Sequence, residues 1–388
     1  MMTEEASHRT AQNLICLIGC AVHGTIPDLT GMEDTDALYA LAARHMLTAA
    51  FAMALESAGK KDGKSGLAIA GAVRRRVLFE SAFARIRERL EAAGIWYLPL
   101  KGMVLKDEYP KPGMREMGDY DILIPAHRAG DVKAIMEALG YQTKSFGQLH
   151  HDGYEKPPFL RFEMHRMLFD SHDKKPHAYY RDMERRLLGD GYEKHLCPED
   201  FYLYMTAHAY KHYTGRGTGL RTLLDTHVYL QNHPLSMPYV EAEAEKLGMA
   251  AFEKTLRTLS QRLFSGGELT EDQENMLDSI LTSGTYGTVE HLVENRLREK
   301  GWGRLRYALN RFLVPVSRKN EEYSIYADTY PFFYRHRILL PLLPFFRIIR
   351  GVRTGRLQTE VRALRSAGKG HFTHPARKAK RLRGKRGH

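Results

Sequence analysis

Arg115-Glu116-Met117-Gly118-Asp119-Tyr120-Asp121-Ile122-Leu123-Ile124 places two acids at the mouth of an apolar run. Asp119 to Ile124 reads as a strand, and residues two apart along a strand point to one face. Asp119 and Asp121 then form a pincer for a hard divalent cation such as Mg2+. With 46 acids in 388 residues, about five acidic i,i+2 pairs arise by chance, so spacing alone says little. The glycine before the pair and the Ile-Leu-Ile after it carry the reading, because a solvated turn does not put acids at the opening of a core strand.

Around this stretch the pattern is mixed. Ile95 to Leu100 is a short strand-like run ending at Lys101-Gly102, Arg128 to Gly140 has helical periodicity, and Tyr141 to Ser145 and Leu160 to Met167 read as further strands. In Arg161-Phe162-Glu163-Met164-His165, Glu163 and His165 share a face. Neighbouring strands lie about 4.8 Å apart, so Glu163 can stand beside the aspartates as the third carboxylate of a two-metal site. Its other reading is an exposed sheet residue. Helical patterns flank the strands: Asp36 to Ser57 and Ala68 to Ala93 before, and Glu199 to Tyr213, Leu220 to Gln231, Tyr239 to Leu247, Ala250 to Phe264 and Glu271 to Leu281 after. The expectation is an α+β fold. A small mixed sheet core over 94–170 packs with an N-terminal helical segment (1–93) and a helical domain (171–300). An aromatic and basic cover (301–360) and a disordered basic tail (361–388) follow.

Composition narrows the class. Lys and Arg number 58 against 46 acids, and ten of the basic residues fall between Val361 and His388, where no acid occurs. The body is therefore nearly neutral and the basicity is a tail. Such a tail attracts polyanions, RNA or anionic lipid, without choosing between them. Cys16, Cys20 and Cys197 offer no disulfide framework or Cys-x-x-Cys zinc pair, which points to a reducing, cytoplasmic setting. Leu17-Ile18-Gly19-Cys20 has the outline of a lipoprotein box, but Glu4 and Glu5 precede it and its apolar run is short; it reads as a short buried helix. Pro341, Pro344 and Arg347 interrupt the apolar run from Ile338 to Ile349, so no transmembrane helix is expected there. Gly59-Lys60-Lys61-Asp62-Gly63-Lys64-Ser65 is one residue short of a P-loop and follows a helix, not a strand.

Taken together, Leu98-Pro99-Leu100-Lys101-Gly102, Arg115 to Ile124 and Phe162-Glu163-Met164-His165 resemble the bacterial uncharacterised nucleotidyltransferase family, of the DNA polymerase β-type superfamily. The order Lys-Gly, Arg-x-x-Gly-Asp-x-Asp, Glu-x-His is fairly specific, and Ala207 to His212 and Leu220 to Asp225 resemble the family's helical half. The resemblance implies a minimal palm that holds Mg2+ and a nucleoside triphosphate. Asp119, Asp121 and Glu163 would carry the metals, with Glu163 also available to bind or deprotonate an acceptor hydroxyl. The superfamily's Gly-Ser pair is replaced by Lys101-Gly102, where Gly102 would let backbone amides approach a phosphate and Lys101 would add charge.

Further residues carry two readings each. Arg115 either neutralises transferred charge or braces the turn through an ion pair. His208, Lys211 and His212 share a helical face. Lys211 is a candidate triphosphate contact, and the two histidines read as packing residues. Arg221 and Asp225 read as a structural i,i+4 pair, and Gly215-Arg216-Gly217-Thr218-Gly219 as a loop flexible enough to admit substrate. Tyr323 to Arg350 either covers the helical half or rests at a membrane surface, making the protein peripheral. The leading function is Mg2+-dependent transfer of a nucleoside monophosphate from a triphosphate to an acceptor such as a small molecule, an envelope precursor, a protein or RNA. The alternative is a nucleotide- or polyanion-binding module that keeps the palm without turnover.

Overall fold

The computed structural model describes residues 4–32, 34–301, 303–313, 316, 326–327 and 329–367. The fold is α+β. Four helices come first: α1 (Glu4–His23), α2 (Thr35–Arg44), α3 (Thr48–Ser57) and α4 (Gly63–Ala92); the shorter α5 (Gly102–Leu105), α6 (Ala129–Ala138) and α7 (Lys174–Tyr179) lie among and after the strands. The stretch with lipoprotein-box outline lies inside α1, which buries Leu14, Leu17 and Ile18. The single helix expected over Asp36 to Ser57 is two, broken at Met46, whose φ is 54°. Propensity favours continuing the helix; tertiary packing overrides it. The break frees His45 to enter the core, where its Nδ1 accepts from the Leu220 backbone N–H at 3.1 Å.

Five strands form one sheet of order β1-β2-β5-β4-β3: β1 (Leu98–Pro99), β2 (Tyr120–Leu123), β3 (Gln142–Ser145), β4 (His151–Lys156) and β5 (Leu160–His165). β2 and β5 are parallel and the other pairs antiparallel. Sequence reading missed β4, since His151-Asp152-Gly153-Tyr154-Glu155-Lys156 carries little apolar signal; pairing on both edges makes it a strand. Alternation along β2 splits its side chains. Tyr120 and Ile122 enter a core with Phe79, Ile86 and Leu90 of α4 and Val132 and Met136 of α6 (Ala129–Ala138). Phe79 stacks on Tyr120 at 4.6 Å and is fully buried, which is worth about 2–3 kcal/mol relative to exposure. Asp121 and Leu123 point the other way. There Leu98, Leu100 and Leu123 pack with Phe201, Leu203 and Tyr204 of α8 (Pro198–Thr214), Tyr229 of α9 (Leu220–Asn232) and Val240 of α10 (Met237–Leu247).

The chain divides into two compact units: 1–210 with 219–269, and 211–218 with 270–388. The first unit joins the N-terminal helices, the sheet and the helical bundle through α11 (Ala250–Ser265). The second contains α12 (Glu271–Ser283), α13 (Val289–Lys300), α14 (Arg304–Leu313) and the helices Pro331–Arg335, Leu343–Arg353 and Arg356–Ser366. Val293, Tyr307, Ala363 and Ala367 form its small core, and Arg311 pairs with Glu360 at 2.7 Å. Gly217 has a φ of 101°, and a Cβ there would meet Ser283 Cβ at 2.2 Å. Packing against Ser283 thus requires glycine at position 217 of the glycine-rich loop. Arg356–Ser366 takes in the first residues of the stretch read as a disordered tail; 368–388 lie outside the described residues. Phe345, Phe346 and Ile349 are exposed, and no described helix is long and apolar enough to cross a membrane.

Candidate active site

The parallel register of β2 and β5 sets Asp121 directly opposite Glu163. Both side chains leave the sheet on the α8 side, so two strands about 4.8 Å apart hold the carboxylates side by side. His165 lies two residues beyond Glu163 on the same face. One ligating atom from each of Asp121, Glu163 and His165 falls within 4.8 Å of the others. Asp119 precedes β2 and stands next to this group rather than in it.

Charges in the group are strongly interdependent. Asp121 Oδ1 accepts from Lys101 Nζ at 2.9 Å and from His165 Nε2 at 2.8 Å. Burial works against ionised Asp121, but Lys101 and His165 outweigh it and hold the carboxyl well below its usual range. Glu163 is also lowered: burial opposes ionisation, while the hydrogen bond from His165 and the charge of His151 favour it. Asp119 goes the other way. Burial, then the Asp121 and Glu163 carboxylates, push its carboxyl up to about 6. Three acids share one desolvated site, and two of them ionise at the expense of the third. This excess of negative charge and oxygen donors fits hard divalent cations such as Mg2+.

Lys101 reaches Asp121 from an unusual backbone. Its φ of 44° and ψ of −116° lie outside the regions open to side-chain-bearing residues. Such strain costs on the order of 1–3 kcal/mol and survives where surrounding structure imposes it. Burial works against its charge, but Asp121 outweighs it and raises the Lys101 pKa. Gly102 is buried, and a Cβ there would meet Arg115 Nη1 at 2.5 Å and Met117 Cε at 2.7 Å. The missing side chain is room for Arg115, a physical reason for glycine separate from approach to a phosphate.

Arg115 takes the bracing role of its two readings. Its Nε and Nη2 donate to Asp225 Oδ1 and Oδ2 at 2.8 and 2.9 Å, and Tyr109 Oη donates to the same carboxylate at 2.7 Å. The buried fork ties the loop before Asp119 to α9. Because Arg115 occupies Asp225, the expected Arg221–Asp225 pair does not form. Arg221 Nη1 instead donates to the Glu116 carbonyl and contacts Met46 Sδ, each at 3.1 Å. Among the described residues no carboxylate lies within ion-pair distance of Arg221, yet its charge and that of Asp119 act on each other. It is the cation that sequence reading undervalued; its i,i+4 spacing to an acid pointed to the wrong partner. Tyr204 of α8 is likewise near: its fully buried hydroxyl has no hydrogen-bond partner among the described residues and feels Lys101, Asp121 and Glu163. Lys211 and His212 sit in the last turn of α8, within the second unit, and His208 one turn earlier in the first.

Sequence reading also missed His150 and His151. His151 opposes His165 across the β4–β5 pair, with its Nε2 3.6 Å from Glu163 Oε2. A cavity of about 600 Å3 lined by Phe83, Met103, Tyr120, Leu196 and Tyr229 includes none of the three carboxylates. Its lining comes from both faces of the sheet, with Tyr120 on one side and Tyr229 on the other, and the acids stand outside it. A family described as uncharacterised nucleotidyltransferases matches residues 31–265, more than half of the chain. No curated protein and no solved structure matches the chain.

Proposed function

Since the chain belongs to the uncharacterised nucleotidyltransferase family, we propose that it is a DNA polymerase β-type enzyme moving a nucleoside monophosphate from a triphosphate to an acceptor. The observation that carries this reading is the opposition of Asp121 and Glu163 across β2 and β5, with Asp119 raised by both. Asp119, Asp121 and Glu163 would hold Mg2+, which when bound supplies charge neutralisation to the triphosphate and the departing pyrophosphate. Lys101 and Arg221 would add positive charge to offset the negative charge of the phosphates, as electrostatic stabilisation of phosphoryl transfer requires. The acceptor oxygen bonds to the α-phosphorus, the bond from that phosphorus to the bridging oxygen breaks, pyrophosphate leaves with its electron pair, and the acceptor proton passes to a base. Glu163 would also be available to bind or deprotonate the acceptor hydroxyl.

The acceptor is a small molecule, an envelope precursor, a protein or an RNA, and the protein is placed in a bacterial cytoplasm. The basic C-terminal residues and the exposed Phe345, Phe346 and Ile349 suit peripheral contact with a polyanionic surface.

The second reading is a nucleotide- or polyanion-binding module without turnover. It is favoured by the Lys101–Asp121 pair, in which an ammonium already satisfies the buried carboxylate. Calorimetric titration with ATP, GTP, CTP and UTP, with and without Mg2+, tests the first reading. Mg2+-dependent binding lost in the Asp119→Ala/Asp121→Ala double variant supports it, and α-labelled triphosphate then reports transfer. Binding that ignores Mg2+ and the double variant supports the module.

A further inference from the structure

β4 and β5 run antiparallel with His151 opposite His165, so two imidazoles form a cross-strand pair on one face of the sheet. His150 precedes β4, and its carbonyl accepts from the Arg166 backbone N–H at 2.8 Å. That bond extends the pairing and brings a third ring alongside. The centroids of the three rings stand 4.7, 5.2 and 5.4 Å apart. One nitrogen from each ring lies within 4.8 Å of the others, and His150 Nε2 and His151 Nδ1 are 3.4 Å apart. Metal–nitrogen bonds of about 2.1 Å in a tetrahedron set their nitrogens about 3.4 Å apart. The spacing of His150 and His151 already meets that requirement.

Two independent features mark the cluster as built for a cation. Each ring has a carboxylate behind one nitrogen: Asp121 at 2.8 Å from His165 Nε2, Glu163 at 3.6 Å from His151 Nε2 and Asp170 at 3.7 Å from His150 Nδ1. A carboxylate behind an imidazole is the outer layer that orients metal-binding histidines and raises their basicity. Second, the His165 side chain is 2% exposed, and among the described residues its Nδ1 has no hydrogen-bond partner. Nε2 donates to the Asp121 carboxylate, which leaves Nδ1 as the nitrogen open to a metal. A buried polar atom without a partner is costly.

We propose that His150, His151 and His165 form a second metal site, beside the carboxylates, for a borderline transition metal of the Zn2+ and Co2+ class. The donor chemistry separates the two sites: imidazole nitrogens favour such metals, whereas Mg2+ takes oxygen ligands. The inference does not depend on nucleotidyl transfer, since metal binding is read directly.

The experiment uses full-length, tag-free protein stripped with chelator and kept in excess Mg2+, titrated with Co2+. The expected result is one equivalent giving visible absorption bands and hyperfine-shifted imidazole N–H resonances, displaced by Zn2+ and not by further Mg2+. His150→Ala and His151→Ala each lower the affinity by about 100-fold or more, and Asp170→Asn by about tenfold. Co2+ that shows no imidazole resonances, that Mg2+ displaces, or that binds the histidine variants as tightly as the parent overturns the proposal. The parent protein's spectrum decides the matter even if a variant fails to fold.

Discussion

Asp119→Asn should stabilise the metal-free protein at alkaline pH while removing its response to Mg2+. Asp119 is raised from 3.8 to about 6 by burial and by Asp121 and Glu163. Holding it ionised in the folded state therefore costs about 3 kcal/mol above pH 6. Asparagine has the same shape and no charge, and among the described residues Asp119 accepts no hydrogen bond that the change would break. For a unit of this size, relief of about 2–3 kcal/mol raises the melting temperature by roughly 5 °C. The sign with pH follows from the raised folded-state value. The wild-type penalty is fully present above about 6, falls as the folded protein takes up the proton, and is gone below the unfolded value of 3.8. The advantage of the variant should therefore be about halved at pH 5 and nearly absent at pH 4. Thermal unfolding followed by intrinsic fluorescence, in chelator at pH 8, 5 and 4, measures it. Added Mg2+ at pH 8 should then raise the wild type and leave the variant unmoved. A variant less stable than the wild type at pH 8, or an advantage that does not change with pH, would refute the argument that the three carboxylates repel one another.

Asp225→Asn should destabilise the fold by about 3–5 kcal/mol, because it strands the buried Arg115 guanidinium; urea denaturation measures the loss, which nucleotide should not rescue. Lys101→Gly removes the ammonium and the backbone strain together. It should leave the midpoint of unfolding within about 1 kcal/mol of the wild type while lowering the rate of nucleotidyl transfer by about 100-fold. Arg221→Ala should weaken pyrophosphate and triphosphate binding about tenfold, seen by calorimetry, with the secondary structure retained by circular dichroism.

The sequence alone determined the parts whose signals are local. Asp119-Tyr120-Asp121 before Ile-Leu-Ile, and Phe162-Glu163-Met164-His165, carry strand periodicity and acids in one frame, so the two strands and the face bearing the acids were legible. Long helices such as α4 and α8 were legible for the same reason, since their apolar spacing repeats over several turns. What depends on which strands are neighbours was not. Only tertiary structure placed Asp121 opposite Glu163, gave Asp225 to Arg115 instead of Arg221, and divided the acids into two held ionised and one raised. It also made a strand of the polar stretch His151–Lys156 and gathered His150, His151 and His165. Local pattern registers the period of a side chain, whereas partner choice and charge state arise from neighbours distant in the chain, whose burial removes the water that would otherwise screen them.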